Sequence, residues 1–186
     1  MVFLETERLI FRSHATDDEQ SFIRMQMDPL VRRFVGGSPW SEERARMRFR
    51  TEYLGQPTNH NGLWATVLKS ENIYIGHCGI CAREKPTEVR LAYYIAQPYW
   101  NRGYATEAAR AFLALAFVKL GFERVVADLA IGNAAAVRVL EKLGFVLHGS
   151  EEIRGHVFHN YELTRDRWSP EPNHSSQPPP DAGAAN

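Results

Sequence analysis

Sulfur and net charge are both scarce in this chain of 186 residues. Two cysteines, Cys78 and Cys81, are too few for the disulfide framework of a small secreted domain or for a four-thiolate zinc site. They make a C-x-x-C, but within the strand-like run Ile73-Tyr74-Ile75-Gly76-His77-Cys78-Gly79-Ile80-Cys81. Residues three apart on a strand point to opposite faces at about 10 Å, too far for a disulfide, so both read as buried free thiols. Lys plus Arg and Asp plus Glu each total 22, and that balance removes any general pull toward nucleic acid or an anionic membrane. No window reaches the roughly 18 apolar residues of a membrane span, and no cationic segment leads an apolar run at the start. A cytoplasmic protein with no membrane and no nucleic-acid partner is the expectation. Also missing are the G-x-G-x-x-G dinucleotide fingerprint and the G-x-x-x-x-G-K-[ST] phosphate loop. His156-Val157-Phe158-His159 does not have metal-ligand spacing on a strand, and no metal is expected.

What is present fits one globular domain: 44% hydrophobic and 11% aromatic residues over a length sufficient for a sizeable core. Residues 1–168 read as that single domain. From Ser169 to Asn186 proline, serine, glycine and alanine dominate, with almost nothing apolar to bury, and this tail is expected to be disordered.

The most informative stretch is Asn101-Arg102-Gly103-Tyr104-Ala105-Thr106-Glu107-Ala108. It follows a strand-like run ending Tyr93-Tyr94-Ile95 and a turn built on Pro98, and it opens an alanine-rich helix reaching Leu120. The first turn of a helix leaves N–H groups without intrahelical partners in a positive dipole field, so this turn suits a phosphate or pyrophosphate. Gly103 permits close approach, Asn101 tolerates a left-handed backbone, and Arg102 adds charge. A turn that merely has to be tight would show the same glycine.

Elsewhere Thr16-Asp17-Asp18-Glu19 has capping-box spacing before a helix ended by Pro29, and Ser41-Glu42-Glu43 opens a second helix. That helix carries Arg44, Arg46, Arg48 and Arg50, which read as a solvated surface, with a site for an acidic substrate as the rival reading. Gly62–Lys69, Asn72–Arg83 and Thr87–Ile95 form a meander. Arg124–Leu129 is a strand, Asn133 caps the last helix, Gly144 closes it, and Phe145–Ser150 and Phe158–Thr164 complete the sheet.

The run from Tyr93 through Pro98-Tyr99-Trp100-Asn101-Arg102-Gly103-Tyr104-Ala105-Thr106-Glu107-Ala108 resembles the acetyl-CoA motif of the GCN5-related N-acetyltransferases (GNAT), in the branch of the ribosomal-protein N-terminal acetylases. Three more segments agree in order: Leu4–Arg12, Asn133–Phe145 and Tyr161–Trp168. The resemblance implies an α/β (α+β) GNAT fold, a mixed central sheet of about seven strands flanked by about four helices. It implies acetyl-CoA, or coenzyme A, as cosubstrate and an amine as acceptor, with direct transfer in a ternary complex by a monomer or homodimer. By the same resemblance the pantetheine arm would lie on the backbone of Tyr93, Tyr94 and Ile95. The pyrophosphate would lie on Asn101, Arg102, Gly103, Tyr104, Ala105 and Thr106. Asn133 and Arg138 would reach the pantetheine and a phosphate.

Departures from the family pattern concern proton transfer. Trp100 replaces the Gln or Arg that opens the wider motif, Leu140 the tyrosine that protonates the thiolate, and Ala136 a serine common in this branch. Glu88 is a candidate general base, because many members carry a carboxylate on this strand; a salt-bridge residue is the rival reading. His77, His156 and His159 are further base candidates. The function expected is therefore acetyl-CoA-dependent acetylation of a primary amine, either a protein N-terminal α-amine or a small molecule. The alternatives are an amine-antibiotic or polyamine acetyltransferase and a non-catalytic acyl-CoA-binding module.

Overall fold

The N-terminal segment, expected as one strand, is a hairpin: β1 (Val2–Glu5) turns at Thr6 into β2 (Leu9–Arg12). Thr6 N–H donates to the Leu9 carbonyl at 2.9 Å, and Leu9 N–H to Thr6 Oγ1 at 3.1 Å. This hairpin supplies the eighth strand where about seven were expected. The structure, a computed structural model, describes residues 2–170 except Thr58 and Arg154, so the tail from Glu171 onward lies outside the described residues.

The other strands are β3 (Gly62–Leu68), β4 (Ile73–Ala82), β5 (Glu88–Ile95), β6 (Arg124–Ala130), β7 (Val146–Ile153) and β8 (His156–Thr164). They form one sheet in the order β1-β2-β3-β4-β5-β6-β8-β7, parallel only between β5 and β6. Gly76 sits where β4 skips a residue against β3, with φ of 153°, and a Cβ there would strike the Tyr94 carbonyl.

Among the described residues five α-helices cover the sheet: α1 (Glu19–Met27), α2 (Pro29–Arg32), α3 (Glu42–Arg48), α4 (Tyr104–Ala114) and α5 (Ala134–Lys142). The expected Thr16–Glu19 capping box is replaced by a stronger arrangement. Buried Asp18 accepts the Ala15 N–H at 2.8 Å and grips the Arg12 guanidinium through both oxygens at 2.6 and 2.8 Å, so the carboxylate, not the threonine hydroxyl, organises the helix start. Pro29 ends α1 as expected and also opens α2, where the Asp28 carboxylate accepts the Leu30 N–H at 2.8 Å. The helix expected from Gly103 to Leu120 relaxes after Ala114 into a π-helical turn, Leu115–Lys119.

Alternation along the strands divides the core in two. Leu91 and Tyr93 point to α4 and α5, joining Phe11, Trp64, Ile75, Phe112 and Leu140. Tyr94 points the other way, with Tyr74, Phe22, Phe49 and Trp40 under α1 to α3. The second layer also buries His14 and His77, their rings 5.9 Å apart, with the Tyr74 hydroxyl 2.9 Å from His77 Nδ1. Burial pulls His77 well below its ordinary 6.5, and His14 beside it adds to the shift; burial likewise lowers His14. Depressed folded values mean that the unfolded chain takes up these protons first. Their stability contribution is complete above pH 6.5 and is lost as pH falls below it. We expect stability to fall steadily as the pH drops below 6.5, with His77, the more strongly depressed of the two, contributing most. Urea unfolding between pH 7.5 and 5.0 measures this, and a midpoint unchanged over that range would refute it.

Candidate active site

β5 is held along most of its length by β4, from Ile95 opposite Gly76 to Val89 opposite Ala82, whereas it meets β6 only at Glu88, Val89 and Arg90. Beyond Arg90, β6 stays with β8 through Ala130, and the two strands part. From Leu91 to Ile95 one edge of β5 therefore has no strand partner. The Tyr94 carbonyl faces β4 at Gly76, so by the pleat Tyr93 and Ile95 present their backbone groups to the opening. Tyr94 backbone is thus not available on that edge, contrary to the sequence expectation. The Ile95 carbonyl is already taken by the Trp100 indole N–H at 2.6 Å, which is what Trp100 does in place of Gln or Arg.

Two helix N-termini face the opening. After a tight turn at Gln97–Tyr99, Asn101 (φ 59°) and Gly103 (φ 81°) both adopt the left-handed conformation, and Gly103 caps α4 with no side-chain bond to its amides. The first helical bond closing on this cap is Glu107 N–H to the Gly103 carbonyl, so the Tyr104, Ala105 and Thr106 amides have no partner within α4. Asn133 caps α5, its Oδ1 accepting the Ala136 N–H at 3.2 Å. The resulting cleft has a volume of about 470 Å³. Its lining includes Tyr93, Tyr94, Ile95, Asn101, Gly103, Tyr104, Ala105, Thr106, Asn133 and Arg138.

Arg102 is the predicted residue left out of that lining. Its carbonyl accepts from Arg8 Nη1 at 3.0 Å and its guanidinium lies 5.9 Å from the Tyr99 ring centroid. Glu88 is not in the cleft either. It is 6% exposed, paired with Arg124 Nε at 2.7 Å and Arg83 Nε at 3.4 Å, at the end of β5 where the strands are still joined. The salt-bridge reading holds for Glu88, and the general-base assignment is withdrawn. His77 lies in the other core layer, and His159 bonds Ser150 Oγ at 2.7 Å on β8. Leu140 is fully buried in the core, so its position gives no access to the cleft. Among the described residues no Asp, Glu or His lines the cleft.

Three features escaped the sequence. Lys142 joins Arg138 in the cleft, one helical turn on along α5, a spacing that was readable. The Tyr93 hydroxyl donates to the Ala136 carbonyl at 3.3 Å, and burial raises its pKa far above the phenol value. Glu107 accepts the Thr6 hydroxyl at 2.6 Å, the Arg8 N–H at 2.9 Å and Arg8 Nε at 2.6 Å. Thus two of the resembling segments touch, and Arg8 bridges Glu107 to the Arg102 carbonyl.

With unpartnered helix amides, two cations and no lining carboxylate, the cleft suits an elongated anionic ligand. Residues 8–146 match the family profile of the GNAT acetyltransferase domain. The chain belongs to the GNAT acetyltransferase family. It is 25% identical over 146 residues to YnaD, an uncharacterized N-acetyltransferase of Bacillus subtilis (strain 168), covering 78% of this chain and 84% of that protein. It is 38% identical over 94 residues to the uncharacterized YkkB of the same strain, a match spanning 50% of this chain and only 54% of YkkB. A crystal structure of a GNAT acetyltransferase from Bacillus anthracis superposes with a TM-score of 0.78 at 24% identity, over 88% of this chain and 99% of that one. As a member of this family the protein is an N-acetyltransferase, in line with the name that YnaD carries, and the family's cosubstrate is acetyl-CoA.

A valine cannot hold φ of 81° without strain, and its Cβ would come within 3.3 Å of Arg8 Nη2, which braces this turn. Gly103→Val should weaken CoA binding at least tenfold by calorimetry. Arg102→Ala should change it less than threefold, and the reverse order would show that the turn is built differently.

Proposed function

We propose that this GNAT protein moves an acetyl group from acetyl-CoA directly to a primary amine in a ternary complex, with a protein N-terminal α-amine as the preferred acceptor. The observation that carries this is the parting of β5 from β6 beside the uncapped start of α4. The pyrophosphate fits the Tyr104, Ala105 and Thr106 amides, with the Thr106 hydroxyl beside them. The pantetheine arm fits the free edge at the Tyr93 backbone and the Ile95 N–H, and Arg138 and Lys142 suit a further phosphate. Bound acetyl-CoA supplies the thioester, whose C–S bond breaks as the amine nitrogen forms the new amide.

The chain's own part is positioning and one hydrogen bond. Tyr93, protonated at any working pH because burial raises its pKa, presents its hydroxyl at the cleft wall next to Ala136. On turning away from the Ala136 carbonyl it would give its one hydrogen to the departing sulfur instead, taking over from the tyrosine and serine absent at Leu140 and Ala136. A thiol of reference pKa about 8.5 leaves readily, so no stronger acid is required.

Among the described residues no carboxylate or imidazole lines the cleft to take the amine's proton, so the acceptor's own pKa decides how much of it is reactive. At pH 7 an α-amine near pKa 8 is about one-tenth neutral, while a lysine near 10.4 is below one part in a thousand. That difference of more than a hundredfold favours the α-amine and agrees with the resemblance to the ribosomal-protein N-terminal branch.

Free-thiol release from acetyl-CoA against N-terminal peptides, polyamines and aminoglycosides tests the reading. Peptides should be acetylated fastest, with kcat/KM rising with pH up to the α-amine pKa and no earlier inflection. Tyr93→Phe should lower kcat about tenfold with CoA affinity within twofold. CoA binding without turnover of any amine would favour a non-catalytic acyl-CoA module, and polyamines as best acceptors would move the substrate class.

A further inference from the structure

α2 has two neighbours of different character. Leu30 and Val31 line the cleft, as do Phe34 and Val35 just beyond, while Arg32 lies against Trp40. The Arg32 guanidinium carbon is 4.6 Å from the Trp40 ring centroid, and those of Arg44 and Arg48 from α3 are 5.0 and 5.3 Å away. Three cations therefore crowd one indole.

Their counter-charges are few. Arg48 Nη2 meets Glu52 at 2.6 Å, and among the described residues no carboxylate lies within ion-pair distance of Arg32 or Arg44. Arg32 is 7% exposed; its Nη1 donates to Gln26 Oε1 at 3.2 Å, and its Nε is buried without a partner, as is that of Arg48. Burial and then Arg44 pull the Arg32 pKa below its usual value, and the Tyr94 and Tyr53 phenols are near enough to act on it too. Tyr94 also lines the cleft. The contrast with the neighbouring arginines is informative. Arg46 and Arg50 are neutralised by Glu19 and Glu42, whereas the arginines on Trp40 keep two uncompensated charges. Indole faces stabilise guanidinium groups, but they leave in-plane N–H donors open, and a buried guanidinium short of acceptors is costly.

We infer that the Arg32, Arg44 and Arg48 cluster on Trp40 is a carboxylate-recognition subsite, which selects amine acceptors carrying a carboxylate near the reacting nitrogen. The inference rests on the acceptor reading above. An oxyanion supplies the acceptors that the open guanidinium N–H groups lack, and bidentate geometry suits a carboxylate. Two sources offer that chemistry: an acidic side chain next to a peptide N-terminus, or the α-carboxylate of a free amino acid.

Paired acceptors distinguish them: Ala-Asp against Ala-Asn amino-terminal peptides, and free alanine against alaninamide. At least one acid should exceed its amide partner about tenfold in kcat/KM expressed per neutral amine, which removes the difference in amine pKa between free alanine and alaninamide. Arg44→Gln, an exposed position safe for folding, should cut that ratio about fivefold or more, and Arg32→Gln should cut it further with CoA affinity retained. A second readout is independent of turnover. Succinate titrated into the 15N-labelled protein should shift the indole N–H resonance of Trp40, assigned by its loss in Trp40→Phe, and Arg44→Gln should suppress the shift. Acid-to-amide ratios of one or less in both pairs, or an indole resonance that does not move with succinate, would overturn the subsite. Absence of CoA binding and of any thiol release would overturn the acetyl-transfer reading instead, while the succinate titration would still decide the subsite.

Discussion

The parallel contact of β5 with β6 stops at Arg90 because beyond it each strand is committed to a different antiparallel partner. β4 holds β5 through to Ile95, and β8 holds β6 through to Ala130. Neither strand can follow the other without giving up those ladders. The sheet therefore opens at a defined residue, and a strip of unsatisfied backbone remains in its middle, where edges are ordinarily avoided. Both α4 and α5 begin at this opening. One geometric fact thus supplies a free edge, two helix N-termini and a cleft between them.

The start of α4 carries an apparent contradiction. Glu107 sits in the first turn, where an anionic ligand would meet a negative charge. Burial pushes its carboxyl up, but hydrogen bonds from Thr6, the Arg8 backbone and the Arg8 guanidinium outweigh this and hold it below its usual value. It is therefore ionised, and Arg8 neutralises it within 2.6 Å. The pair removes the charge from the anion's view and ties the N-terminal hairpin to the turn. Arg8 also reaches the Arg102 carbonyl, so the hairpin braces the left-handed segment from Asn101 to Gly103. Distant parts of the chain act here as one structural unit.

Charge is distributed with similar economy around the acceptor side. The cleft wall offers phenols, aliphatic residues and cations, so in the proposed reaction the proton on the amine would leave through the acceptor's own equilibrium with water. In that proposal the site would work through positioning and exclusion, with its substrate range set by what surrounds the amine. The guanidinium groups on Trp40 are the principal concentration of unneutralised charge next to α2, which makes that region a natural place for selectivity.

Strands, helices and the glycine turn were legible in the sequence, since alternation, caps and the Asn101–Gly103 pattern are local properties. The strand limits from Gly62 to Ile95 agree with the sequence reading to within one residue, and the Asn133 cap and the left-handed Asn101 match it. The extra strand was missed because a turn at Thr6 held by a side-chain oxygen leaves no glycine or proline to read. Side-chain roles were less legible. Glu88 has the chemistry of a base, but its register opposite Arg124 makes it an ion-pair partner, and register belongs to the sheet. Tyr93 and Ala136 are 43 residues apart, and Arg32, Trp40, Arg44 and Arg48 come together from α2, α3 and the loop between them. The sequence by itself determined the elements, the phosphate-type turn and the family, because these depend on neighbours along the chain. Only the tertiary structure decided which ionisable groups face the cleft, because burial and charge pairing are set by partners far away in sequence.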